Sequence, residues 1–169
     1  MPTKTSGQVH EADIGIEADN RAAVVDILNR VLADQQVLYT KTRKYHWNIT
    51  GHLFYSLHKL LEEQYTTLAV ASDEVAERAR SLGGMAIGTL KEFIECATLK
   101  EQPGQYPDAE TMIANLVDDH EAVIRNLRKF VEATEEKFND MGTSDFLTAM
   151  MEAHEKMAWM LRAFLEEKE

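Results

Sequence analysis

The sequence predicts an all-α protein. Four long helices form a bundle, with a short extra helix in the long crossover between the second and third. Three observations lead there. Apolar residues recur at helical spacing over four long stretches. Only three prolines and eight glycines interrupt 169 residues, while Ala, Leu, Met, Glu and Lys abound. The connections between the stretches run short, long, short, which joins four helices through one extended crossover.

Residues 1–18 show no periodicity and are expected to form a flexible tail, leaving 19–169 as one bundle domain. From Asn20 to Ile49 a stripe of Val24, Ile27, Leu28, Val31 and Leu38 marks the first helix, which Thr50-Gly51 ends. The second runs from about Phe54 to Leu82, with Leu57, Leu61, Leu68 and Val75 inward and Gly83-Gly84 as its stop. Residues 85–107 make the crossover, in which Thr89 to Ala97 can hold a short helix. The third long helix spans about 109–138, on Ile113, Leu116, Val117, Val123 and Leu127. Gly142-Thr143-Ser144 is expected to break and recap the chain. The fourth, about 144–166, buries Phe146, Met150, Met157 and Leu161. Helices joined in this way have the ferritin-like connectivity.

Composition excludes several function classes. A net charge of −11 argues against a nucleic-acid surface built on bulk charge and suits attraction of cations. The single cysteine, Cys96, cannot form an intrachain disulfide and suits a reducing compartment. The N-terminal residues lack the apolar core of a signal peptide, and no stretch approaches a membrane span. The expected setting is cytoplasmic.

The second helix carries two pairs of metal-binding groups, His58/Glu62 and Asp73/Glu77, each spaced one turn apart. All four fall within an arc of about 100° on the helix wheel. Roughly 16 Å of helix separates Glu62 from Asp73, too far to share a metal. The two outer residues and the two inner residues, however, have the same midpoint, between residues 67 and 68. If two copies of this helix cross antiparallel there, His58 of one meets Glu77 of the other, and Glu62 meets Asp73. A twofold axis then completes two identical sites. Thr66, Ala69 and Ala76 on the same face are small enough to admit the partner helix. His46, twelve residues before His58, adds a further ligand. An isolated pair of this kind ordinarily marks a solvated face; two symmetric pairs around small residues point to a metal site between chains. An intrachain di-iron bundle would need Glu-x-x-His. The residues three before the six histidines are Gly7, Arg43, Ile49, Tyr55, Val117 and Met151, and none is Glu. Imidazole and carboxylate without thiolate suit iron, manganese or zinc.

The run His46-Trp47-Asn48-Ile49-Thr50-Gly51, with Phe54, Leu57-His58, Glu62, Tyr65, Asp73, Ala76-Glu77-Arg78 and Leu82-Gly83-Gly84, resembles the signature of the Dps proteins. These are the mini-ferritins named as DNA-binding proteins from starved cells. Lys156 to Met160 and the helix outline extend the likeness over most of the chain. The resemblance implies that His46 and His58 come from one subunit and the equivalents of Asp73 and Glu77 from its twofold mate, forming a ferroxidase centre. It also implies a hollow homododecamer that oxidises Fe(II), preferably with hydrogen peroxide, and stores ferric mineral, protecting against oxidative damage. Glu62 stands where the family usually has Asp, so its reach differs by one methylene. His52-Leu53 occupies the turn where a proline is expected nearby.

Other candidates carry competing readings. Trp47 lies near the iron centre in the family, where it intercepts radicals; beside a helix end it can equally be packing. His52 is either an accessory ligand or an exposed turn residue. Glu136, Asp140 and Asp145 resemble an acidic region lining family threefold pores, against the plain reading of a solvated loop. Twelve copies would carry about 132 negative formal charges, which would draw Fe(II) inward. His120, in an apolar stripe, reads as a hydrogen-bonded core residue, and His154 flanks the stripe of the fourth helix. His10, Glu11 and Asp13 form only a weak tail constellation. Lys4 faces Glu11, Asp13, Glu17 and Asp19 in the tail, and Lys41, Arg43 and Lys44 make a modest patch, so DNA binding is expected to be weak or absent. The same ligands also admit zinc as a competing metal.

Overall fold

A computed structural model describes residues 12–166. His10, Glu11 and most of the expected tail lie outside them. The described elements are α1 (Ala18–Asn48), α2 (Phe54–Ser81), α3 (Leu90–Cys96), α4 (Ala109–Glu132), a π-helical turn (Ala133–Lys137) and α5 (Met141–Arg162). Among the described residues there is no strand. α1 pairs with α2, α4 with α5, and the short α3 lies against α1. Leu28, Leu38, Leu61, Leu68, Leu116, Leu127 and Leu147 are among the fully buried side chains at the centre. Each such burial contributes about 1.5–3 kcal/mol.

The α1–α2 turn is short, with Gly51 at φ 102. α2 closes in a Schellman motif: Gly84 N–H donates to Ala79 O and Gly83 N–H to Arg80 O, with Gly83 at φ 87. The second glycine has a different cause. A Cβ on Gly84 would lie 2.4 Å from both methyls of Val25, so its bareness lets α1 approach.

The crossover is anchored along its length. Asn29 accepts from Ile87 N–H and donates to Met85 O. Thr89 and Glu92 form a capping box that starts α3. Buried Asp34 on α1 accepts from Thr98 N–H, the Thr98 hydroxyl and Leu99 N–H.

Two boundaries differ from expectation. α4 does not continue regularly to 138, because a π-helical turn occupies Ala133–Lys137. Gly142-Thr143-Ser144 does not break the chain. Asp140 caps α5 by accepting from Thr143 N–H, so the helix starts at Met141 and already contains those residues; it ends at Arg162, short of 166. No described helix is long and apolar enough to cross a membrane.

Candidate metal centre

The last turn of α1 and the first turns of α2 bring His46 and His58 face to face. Their rings stack with centroids 3.8 Å apart and planes 19° from parallel. His46 Nδ1 lies 2.8 Å from His58 O, and His58 Nδ1 lies 2.9 Å from His46 O. A carbonyl only accepts, so both Nδ1 atoms must carry the proton. In the neutral imidazole each Nε2 then keeps its lone pair, the atom a metal binds. Backbone carbonyls thus fix tautomer and orientation together, as second partners of metal-ligating histidines do elsewhere. Phe54 stacks on His58 at 5.0 Å, and Tyr65 meets His46 edge-on at 5.2 Å. His46 is buried and His58 half-buried.

Glu62 follows one turn after His58 and is half-buried. Its carboxylate takes a hydrogen bond of 2.9 Å from Lys59 Nζ. That bond, then the lysine charge, and more weakly His46 and His58, hold its carboxyl below the usual range. It is therefore ionised at neutral pH. Asp73 and Glu77 are exposed further along α2, on a face where Thr66 and Ala69 are also exposed and Val70 is 56% exposed. Among the described residues, no three His, Cys, Asp or Glu side chains converge to hold a metal within one subunit. The histidine pair, with Glu62 nearby, and the Asp73/Glu77 pair are separate within a single chain.

Trp47 is 64% exposed and packs on Arg43 rather than on the imidazoles. The Arg43 guanidinium also covers Tyr39 and Tyr65 and donates to the Tyr39 hydroxyl at 2.6 Å. His52 is exposed in the α1–α2 turn, outside the stacked pair. Glu136 and Asp145 are exposed around the start of α5. Asp140 is not: it is 2% exposed, caps α5 and accepts from Arg78 Nη2 at 3.1 Å, so its role is structural. Arg78, the last residue of the Ala76-Glu77-Arg78 run, has a role that the sequence does not show. It sits beside Glu77 and ties α2 to α5.

A ferritin-like domain model matches residues 25–169. The chain is a ferritin-like protein of the Dps family. It is 51% identical over 154 residues to a low temperature-induced protein of Nostoc sp. strain PCC 7120, covering 91% of this chain and 86% of that one. It is 39% identical over 145 residues to DNA protection during starvation protein 2 of Bacillus anthracis, covering 85% and 97%. The Dps protein of Vibrio cholerae, described as a member of a broad superfamily of ferritin-like diiron-carboxylate proteins, superposes with a TM-score of 0.86 at 32% identity. That match covers 95% of this chain and 100% of its own. The fold is therefore the ferritin-like one, and the chain belongs to a family of iron-storage mini-ferritins whose superfamily chemistry is of the ferroxidase type.

Proposed function

We propose that this Dps-family chain is a ferroxidase and iron store that works at sites shared between twofold-related subunits of a dodecameric cage. His46 Nε2, His58 Nε2 and Glu62 of one subunit, with the partner subunit's Asp73 and Glu77, bind Fe(II) as substrate. Two Fe(II) ions give one electron each to hydrogen peroxide. Its O–O bond breaks to two hydroxides, and the Fe(III) passes to mineral inside the cage. Consuming peroxide in a two-electron step avoids hydroxyl radical, so storage and protection are one reaction. The observation that carries this reading is the reciprocal histidine pair. It presents two oriented Nε2 atoms with Glu62 one turn on from His58, while Asp73 lies roughly 16 Å beyond Glu62 along α2. Neutral imidazole with carboxylate suits iron, and zinc would compete for the same groups. Trp47 and His52 are auxiliary candidates at this end of the subunit, and Glu136 and Asp145 are candidates for an acidic entry pore.

Stopped-flow oxidation of Fe(II) by peroxide, with a radical trap present, tests the reading. Replacing His46 and His58 together by Ala is expected to slow oxidation on the order of 100-fold or more, with the assembly intact. An unchanged rate would remove the proposed centre. The net charge of −11 favours protection through iron chemistry over DNA coating. In a gel shift at physiological salt the protein is expected to leave duplex DNA unretarded.

A further inference from the structure

A second polar cluster lies inside the bundle, away from the face that carries the metal ligands. Gln35 on α1, His120 on α4, and Met150 and His154 on α5 are all buried. The Gln35 amide nitrogen lies 2.7 Å from His154 Nε2 and 3.4 Å from Met150 Sδ. A thioether only accepts, so the atom facing both must be the donating nitrogen. His154 Nε2 then accepts and carries a lone pair, which places the His154 proton on Nδ1. His120 Nδ1 lies 2.9 Å away and accepts it. Every proton in this chain is thereby assigned. His120 is a positioning residue that aims the His154 lone pair at the same point as the Met150 sulfur.

We propose that His154 Nε2 and Met150 Sδ, converging where the Gln35 amide nitrogen now sits, bind a soft monovalent cation of the cuprous type. Three features select that class. Thioether and imidazole are soft to borderline ligands, and thioether in particular selects Cu(I). The ligating groups are neutral and the cluster contains no carboxylate, so in a low-dielectric interior a single charge is far cheaper to hold than two. Neither imidazole competes for protons near neutrality: burial lowers His154 to about 4, and burial, then the neighbouring His154, lowers His120 well below its ordinary value.

The cluster also has a place for the displaced group and a way in. Gln35 Oε1 and His120 Nε2 are buried without a hydrogen-bond partner. No bond therefore holds the Gln35 amide oxygen, which can turn toward the ion as the nitrogen withdraws. Binding exchanges two N–H contacts for two coordinate bonds and releases no proton. A groove of about 390 Å³ between α2 and α5 is lined by Met150, His154, Met157 and Glu74; its α2 wall includes Thr66 and Val70, on the face where the partner helix is proposed to pack, so this route is open in the subunit before assembly.

The test is anaerobic competition for Cu(I) between the purified full-length protein and a chromophoric cuprous chelator. It is run in a Cys96→Ser background, because an exposed thiol competes for soft cations. One tight Cu(I) per subunit is expected, with both nitrogen and sulfur neighbours in X-ray absorption. Met150→Leu conserves volume and keeps the fold. It is expected to weaken binding at least about tenfold and to remove the sulfur signal, while peroxide-driven Fe(II) oxidation is unchanged. Equal affinity in the parent and Met150→Leu, or a parent that takes no Cu(I) from the chelator, would overturn the proposal.

Discussion

Arg78 Nη2 lies 3.1 Å from Asp140 Oδ1, and Arg78 Nε donates to Thr143 Oγ1 at 2.9 Å, so the last turns of α2 are tied to the first turn of α5. One carboxylate both caps a helix and neutralises a half-buried guanidinium. Asp140→Ala removes the cap and strands the arginine. The expected loss is about 1–3 kcal/mol, read as a melting temperature lower by several degrees. Asp140→Asn keeps a capping oxygen and is expected to lose less. Calorimetry on both variants checks the order; equal melting of Asp140→Ala and the parent would deny the tie its structural weight.

A shared site has a signature no intrachain site can give. His58→Ala and Asp73→Ala subunits are each expected to be inactive in peroxide-driven Fe(II) oxidation. In a mixed dimer one site loses both groups and the other keeps all its ligands. Coassembled variants are therefore expected to recover a substantial part of the parent rate. Absence of recovery in verified mixed dimers would rule out ligands contributed across the twofold axis.

The buried imidazoles link stability to pH. Burial depresses His120 and His154 in the folded chain, while the unfolded chain titrates near the ordinary 6.5. Above that value both states are neutral and nothing is lost. As pH falls below it, the unfolded state takes up protons first, and stability drops by about 1.4 kcal/mol per pH unit for each histidine. For His154 the loss continues until about pH 4. Urea midpoints of metal-free protein are expected to fall steeply between about pH 6.5 and 5, before most carboxylates titrate. A flat profile in that window would show that the pair opens to solvent.

Gly84→Ala forces a Cβ to 2.4 Å from the Val25 methyls. Overpacking of this kind costs about 1–3 kcal/mol. Val25→Ala in the same chain is expected to recover part of it, and a double-mutant cycle in denaturant measures the coupling. Additive effects would mean that α1 and α2 part there at little cost.

The helices were legible because their apolar stripes are long and uninterrupted. The candidate pairs on α2 stand out because their i, i+4 spacing and common midpoint are properties of the linear sequence. What failed to show depends on elements distant in sequence. Nothing local announces that His46 and His58 exchange bonds with each other's carbonyls, since that requires the end of α1 to lie on the start of α2. Asp140 looked like one more loop acid because its partner, Arg78, is 62 residues away. The same cap moved the start of α5 ahead of the Gly-Thr-Ser run that looked like a break. His120 was expected in the core and is buried there, but stripes on separate helices do not reveal that His154 is buried with it or that the two Nδ1 atoms lie 2.9 Å apart.

The carbonyl bonds that orient His46 and His58 are made within one subunit. On the proposed reading, a newly folded monomer already possesses the nitrogen half of its centre, rigid and waiting, while the carboxylate half arrives only with a second copy. Fe(II) can be held loosely before assembly but meets a complete oxidising centre only at a finished interface. Construction of the container thereby licenses the reaction whose product it must contain, and orphan subunits remain chemically quiet.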